Sequence, residues 1–299
     1  MQKVLIIGAN GFLGSKLIYY ILNELYSHKF IPIAADIQNN TIPKEINFNR
    51  IDITKREKTI ETIKEINPDT VILTAAYTDV DKCEDEKKLA YNLNILGPEN
   101  VALGCKKINS KMMYLSTDFV FDGKKGDYSE IDEPKPLSHY ANTKLEGEKH
   151  IIKTGVDYLI CRTAVLYGWY LYRQNFITWI LNNLENGNKI DIVTEQINSP
   201  TLANNLAEIL LHLIDYNKSG IIHTAGDCAL SRYEIAVKCA EIFNFSKELI
   251  HPIDFFKQKA IRPKNGSLNI SKLKKILGNK LKILNLDEGL NFMKEHKNL

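Results

Sequence analysis

The chain has 299 residues, 44% hydrophobic and 25% charged, and 39 Lys+Arg against 36 Asp+Glu give a formal net charge of +3. That length suits one large domain or a domain with a smaller lobe, and the composition is ordinary for a soluble globular protein. So small a charge, with no basic and aromatic cluster, argues against a nucleic-acid partner. No apolar run reaches membrane-spanning length, which argues against a membrane partner.

Met1-Gln2 leads directly into KVLIIGANG, a strand running into a loop rather than a signal peptide, so a cytoplasmic protein is expected. Lys3 to Ile7 is a short β-branched run ending at Gly8, and SKLIYYILNELY after Gly14 is apolar at helical spacing. Ile31 to Ala35 predicts a second strand ending in Asp36, followed by a polar connection to Ile51-Asp52-Ile53. Thr54 is expected to cap a helix through Ile66, with Glu57 at the capping-box position and Pro68 as the stop. Thr70 to Thr74 predicts a strand, Glu84 to Lys107 a long helical stretch, and MMYLS a fourth strand ending at Ser116. Residues 123–138 carry a glycine turn and two prolines, which predicts a loop. Helical pattern resumes from Tyr140 to about Lys153, and Tyr158 to Cys161 predicts a fifth strand.

Strand and helix alternate throughout, as in an α/β fold with a doubly wound parallel sheet of the Rossmann type. Beyond Arg162 the pattern loosens. Helices are expected over Asn175–Leu184, Thr201–Ile214 and Ser231–Phe243, with short strands at Ile190–Val193 and Gly220–Thr224. Residues 1–163 are therefore assigned to a nucleotide-binding domain. Residues 164–299 are assigned to a smaller C-terminal α/β substrate lobe, interleaved with the first at its C-terminal side. Five cysteines with no CxxC suggest a reducing compartment, and seven histidines without ligand spacing predict no metal site.

Gly8-Ala9-Asn10-Gly11-Phe12-Leu13-Gly14 is a GxxGxxG turn between the first strand and the first helix. Such a turn lets a pyrophosphate approach backbone N–H groups at a helix start. Asp36 ends the next strand about 20 residues on, where a carboxylate bonds the adenosine ribose. That residue slightly favours NADH over NADPH, because a carboxylate repels a 2′-phosphate. Asp52 and Ile53 are candidates to meet the adenine, or else a plain strand end. Ala75, Ala76, Tyr77 and Thr78 follow the third strand, where small residues let a dinucleotide pass close to backbone.

Tyr140 and Lys144 are four residues apart, so on a helix they share a face. An ammonium beside a phenol favours the phenolate, which tunes the phenol for acid–base work. Tyr-x-x-x-Lys also arises by chance. Its place behind a nucleotide motif is what makes it a candidate. Thr117 adds a hydroxyl able to hold a carbonyl oxygen.

GANGFLG, AAYTDVDKCE, STDFVFDG, YANTK, RTAVLYG, INSPT and RPKNGSL, in this order, resemble extended short-chain dehydrogenase/reductases, specifically the dTDP-4-dehydrorhamnose reductase family. The resemblance implies NAD(P)H on the N-terminal sheet and a nucleotide-diphosphate sugar under the C-terminal lobe. It implies reduction at the sugar C4, with Tyr140 giving the proton, Lys144 binding the nicotinamide ribose and Thr117 holding the keto oxygen. Val80, Asp118 and Phe119 sit where the family contacts sugar. Arg262 is a candidate for the diphosphate or for a structural ion pair. Two alternatives share the fold: a nucleotide-sugar epimerase, and a non-enzymatic NAD(P)-binding regulatory subunit like that of methionine adenosyltransferase. A homodimer is compatible with any of these. Three stretches depart from the family pattern: Phe119 lacks a hydroxyl, Val165 replaces a tryptophan, and WYLYRQNF (169–176) looks like an insertion.

Overall fold

The computed structural model describes residues 1–255 and 257–297, and for Glu24 the backbone alone. Seven strands form one parallel sheet: β1 Gln2–Ile7, β2 Phe30–Asp36, β3 Asn47–Arg50, β4 Thr70–Leu73, β5 Lys111–Thr117, β6 Tyr158–Thr163 and β7 Gly220–His223. Their spatial order is β7-β6-β5-β4-β1-β2-β3. The order reverses beside β1, which opens a crevice at the carboxyl ends of β1 and β4. The α/β doubly wound expectation is met.

Alternation along each strand builds the two layers. Val4 and Ile6 of β1 join one core with helix α1 (Phe12–Leu22), while Leu5 and Ile7 face the other, with Ile63 of α2 (Arg56–Ile66) and Val101 of α3 (Gly97–Lys107). Each such side chain contributes about 1.5–3 kcal/mol on burial. Adjacent residues of one strand therefore tie the sheet to opposite helix layers. Helix α4 (His139–Thr154) lies on the second face and carries the Tyr-x-x-x-Lys pair.

After residue 163 the chain contributes to both bodies. A third core gathers α5 (Phe176–Glu185), α7 (Arg232–Phe243) and α8 (Leu286–Glu295) around the parallel pair Ile190–Val193 and Ile250–Ile253. In contrast, α6 (Ala203–Asp215) packs into the core of α1, and β7 pairs with β6 in the main sheet. Segments beyond residue 163 therefore take part both in the third core and in the main sheet with its α1 layer.

Two local expectations are corrected. Thr54 does not cap α2, whose N-cap is Lys55 without a side-chain bond. Asp52 captures the Thr54 hydroxyl at 2.7 Å and its N–H at 3.0 Å, a local turn that competes with capping. The stretch from Glu84 to Lys107 is not one helix: Lys87–Tyr91 passes through a π turn, Asn92–Leu96, before α3. Pro98 has no N–H to donate to the Asn94 carbonyl, so the regular ladder breaks there. The freed carbonyl accepts from the Tyr114 hydroxyl at 3.5 Å.

Candidate active site

Because the sheet is parallel, the ends of β1, β2, β4 and β5 open on one edge. The glycine turn, Asp36, Ala75–Thr78 and Thr117 all converge there. Gly8 takes φ +93°, and a Cβ on it would lie 2.5 Å from the Thr74 hydroxyl and 2.6 Å from the Ala75 nitrogen. A Cβ on Gly14 would lie 2.2 Å from the Gly8 carbonyl oxygen. Gly11 caps α1 without any side-chain bond, and no acidic residue stands in the first turn. Its leading N–H groups and the positive end of its dipole are therefore available to an anion. These features fit a dinucleotide diphosphate.

The remaining cofactor candidates divide. Asp36 stands at the end of β2, where its carboxylate accepts from the backbone N–H groups of Asn10 (3.0 Å) and Ile37 (2.8 Å). Arg50 is its register partner on β3, a cation the local sequence around Asp36 does not reveal. Leu13 is buried in the core, and Phe12 lies under the ring of Tyr170 at 5.3 Å. Asp52 is engaged by Thr54 as described. Ile53 is only 4% exposed and is packed where a Gly97 Cβ would lie, 2.6 Å away. Ala75 is half-buried, its N–H bonded to the Ile7 carbonyl at 3.1 Å, and Ala76 lies beside it, also half-buried. Tyr77 directs its hydroxyl to Glu86 at 2.7 Å, while its N–H is held by the Asn94 side chain at 2.8 Å. Thr78 is exposed.

Thr117, Tyr140 and Lys144 come together at the end of β5. Ser138 caps α4 through the Ala141 N–H, which starts the helix one residue before Tyr140 is needed. Burial holds the Tyr140 phenol well above its ordinary range, with the neighbouring Thr117 hydroxyl opposing and Asp118 adding to the rise. Lys144, 2% exposed, donates to the Leu115 carbonyl at 2.7 Å and lies 4.0 Å from the Tyr114 ring centroid. Burial pulls its ammonium down to about 7, and Glu148 works against that. Both side chains occupy one face of α4, as their spacing requires.

Of the candidate sugar contacts, Val80 and Phe119 join Tyr140, Cys83 and Ala90 in a small apolar cluster. The Phe119 ring meets Tyr140 edge-on at 6.1 Å. Asp118 is buried; it accepts from the Thr117 hydroxyl at 3.0 Å and from the Asn198 amide at 3.2 Å. Burial raises its carboxyl to about 6, with Thr117, Arg232 and Asn198 opposing. Arg262 makes a two-pronged ion pair with Asp81, at 2.7 and 3.1 Å, and holds that carboxyl down to about 2. Val165 takes φ +40°, a strained backbone for a β-branched residue.

Several residues at the site escaped the sequence reading. Arg232 is half-buried with its guanidinium 4.4 Å over the Phe176 ring. Burial lowers it to about 10, Asp118 opposing and Arg262 adding to the fall. Glu148 and Arg162 form a buried ion pair at 2.7 Å beneath Lys144. The spacing of Glu148, one turn after Lys144, was one available signal, and Arg162 and Asn198 lie in the motifs RTAVLYG and INSPT without a role read for them; Arg232 gave none. Among the described residues no group of three or more His, Cys, Asp or Glu could hold a metal ion. No helix among them is long and apolar enough to cross a membrane.

Fold and site together define an NAD(P)-dependent oxidoreductase. Residues 1–290 match the family model described as the RmlD substrate binding domain. The chain belongs to that family, the dTDP-4-dehydrorhamnose reductases among the extended short-chain dehydrogenase/reductases. It is 30% identical over 292 residues to dTDP-4-dehydrorhamnose reductase of Aggregatibacter actinomycetemcomitans, covering 93% of this chain and 94% of that protein. The crystal structure of Bacillus anthracis dTDP-4-dehydrorhamnose reductase in complex with NADP matches at TM-score 0.87 and 30% identity, covering 99% of each chain. Rattus norvegicus methionine adenosyltransferase 2 subunit beta is 29% identical over 280 residues, covering 91% of this chain and 81% of that one.

Proposed function

We propose that this protein reduces the 4-keto group of a 4-keto-6-deoxy nucleotide sugar, in the manner of a dTDP-4-dehydrorhamnose reductase. The observation that carries the reading is the convergence of Thr117, Tyr140 and Lys144 at the sheet edge that also holds the glycine turn. A bound reduced nicotinamide supplies the hydride to C4. Tyr140 donates the proton to the forming alkoxide, and its raised pKa keeps that proton in place at neutral pH. Thr117 turns its hydroxyl proton from Asp118 to the keto oxygen when substrate binds. Lys144 holds the nicotinamide ribose and, when charged, lowers the cost of the phenolate left behind. Asp118 and Phe119 border the sugar, and Arg232, joined by Arg262 where it turns from Asp81, supplies positive charge for its diphosphate.

Asp36 supports a preference for NADH, since its carboxylate would face the adenosine ribose; Arg50 is the cation a 2′-phosphate would use. The test is oxidation of NADH and NADPH with a panel of 4-keto-6-deoxy dTDP- and UDP-sugars. Turnover restricted to those sugars is expected. No oxidation with any of them would sink the reading. The likeness to a methionine adenosyltransferase subunit favours a second reading, in which the chain binds dinucleotide but serves a synthetase. A stable complex with such a synthetase, without turnover of any sugar, would select it.

A further inference from the structure

The run that departs from the family pattern crosses the mouth of the nucleotide crevice. Its base is fixed on the smaller lobe. The Trp169 indole donates to the Met293 carbonyl at 2.7 Å, and Asn175, the N-cap of α5, donates to the Gly168 carbonyl at 2.7 Å. Between these anchors the chain touches both walls of the crevice. On one wall the Tyr170 hydroxyl donates to the Asn10 carbonyl at 2.5 Å, and its ring covers Phe12. On the other, the Arg173 guanidinium donates to the Thr78 hydroxyl at 3.3 Å. The tip between them is in water, with Leu171 95% and Tyr172 65% exposed.

A dinucleotide seated at the start of α1 must pass its diphosphate between Asn10 and Thr78, beneath this strap. Arg173 is the only cation between Trp169 and Asn175. Among the described residues it pairs with no carboxylate, holding only a neutral hydroxyl. A guanidinium so placed has donors to spare for phosphate oxygens.

We propose that Tyr170 and Arg173 are dinucleotide-binding residues contributed by the smaller lobe. Arg173 turns from Thr78 to the diphosphate, and Tyr170 covers the cofactor on the Asn10 side, so the strap must lift before cofactor leaves. This rests on the reading that the glycine turn binds NAD(P)H. Its consequence is a slow release step controlled by one exposed and one half-buried residue. Release is a common place for rate control in enzymes with closing loops.

The test is stopped-flow displacement of NADH or NADPH from the full chain by excess oxidised dinucleotide, followed by nicotinamide fluorescence. Arg173→Ala and Tyr170→Ala should each release cofactor about tenfold faster, equivalent to about 1.4 kcal/mol. Arg173→Lys should recover part of the loss, and the wild-type advantage should shrink with added salt. A merely structural strap predicts a lower melting temperature with unchanged release, and that result overturns the proposal. Failure of the wild-type chain to bind either dinucleotide would instead overturn the functional reading and the strap with it.

Discussion

Lys144 and Glu148 stand one turn apart on α4, yet the Glu148 carboxylate is committed to Arg162 (2.7 and 3.0 Å) and Ser116 (2.5 Å). Lys144 is left with a carbonyl and an aromatic face, and burial takes its ammonium from 10.5 to about 7. The sign of the consequence follows from proton counting. Between pH 7 and 10.5 the unfolded chain holds a proton on this lysine that the folded chain has released. Stability from this group therefore rises with pH across that window, by a few kcal/mol at most. Lys144→Met should remove the dependence. Urea unfolding of both proteins at pH 7 and 9 measures it, and equal slopes would refute a neutral Lys144 in the free protein.

Tyr140 sits among Val80, Cys83, Ala90 and Phe119, so Tyr140→Phe keeps the ring packing and removes only the hydroxyl. Turnover should fall about 10²–10⁴-fold, the range of a lost general acid. Dinucleotide affinity should stay near that of the wild type. Because burial holds the phenol far above neutrality, reduction should show no basic limb from Tyr140 below pH 10 in the free enzyme. Steady-state rates beside a fluorescence titration check both halves; wild-type turnover in the variant would contradict the mechanism.

Glu148→Gln should act on both stability and pH response. It leaves the Arg162 guanidinium buried opposite a neutral amide, which costs about 3–5 kcal/mol for a broken internal pair. It also removes the one nearby charge that raises Lys144, so the fraction of ammonium at neutral pH falls and the basic limb of the rate profile moves to lower pH. Pairing the change with Arg162→Met should return much of the stability and none of the pH shift. Denaturation curves and rate–pH profiles of the single and double variants separate the two effects.

The parts of this site that were legible in the sequence are those fixed by local periodicity. Tyr140 and Lys144 share a face because four residues make about one helical turn. The glycine turn and Asp36 were readable because a βα unit fixes their separation. Thr54 failed as a cap because Asp52, two residues away, bonds it first. For the π turn Asn92–Leu96 the sequence offered only Pro98, which marks a break in a helical pattern but not the kind of turn that forms. Asn198 and Arg232 reach Asp118 through the antiparallel pairing of Asn198 with Leu230, a contact between segments far apart in the chain. Strand pairing of that kind leaves no periodic trace.

Gly14→Ala should damage the nucleotide end without touching the chemical one. The new methyl group would lie 2.2 Å from the Gly8 oxygen and 2.8 Å from the Ala9 Cα. Both are backbone atoms, so no rotamer can yield, and α1 must move away from β1. Overpacking of this kind costs about 1–3 kcal/mol, and the shift withdraws the α1 N–H groups from the diphosphate position. Gly187 supplies the control. Unlike Gly14 it has a positive φ, +70°, but a Cβ there meets nothing within 4 Å, so Gly187→Ala carries only local backbone strain. Fluorescence titration should show Gly14→Ala binding NAD(P)H at least about tenfold more weakly, against an unchanged affinity in Gly187→Ala. Equal affinity in all three proteins would mean that the diphosphate does not sit at the start of α1.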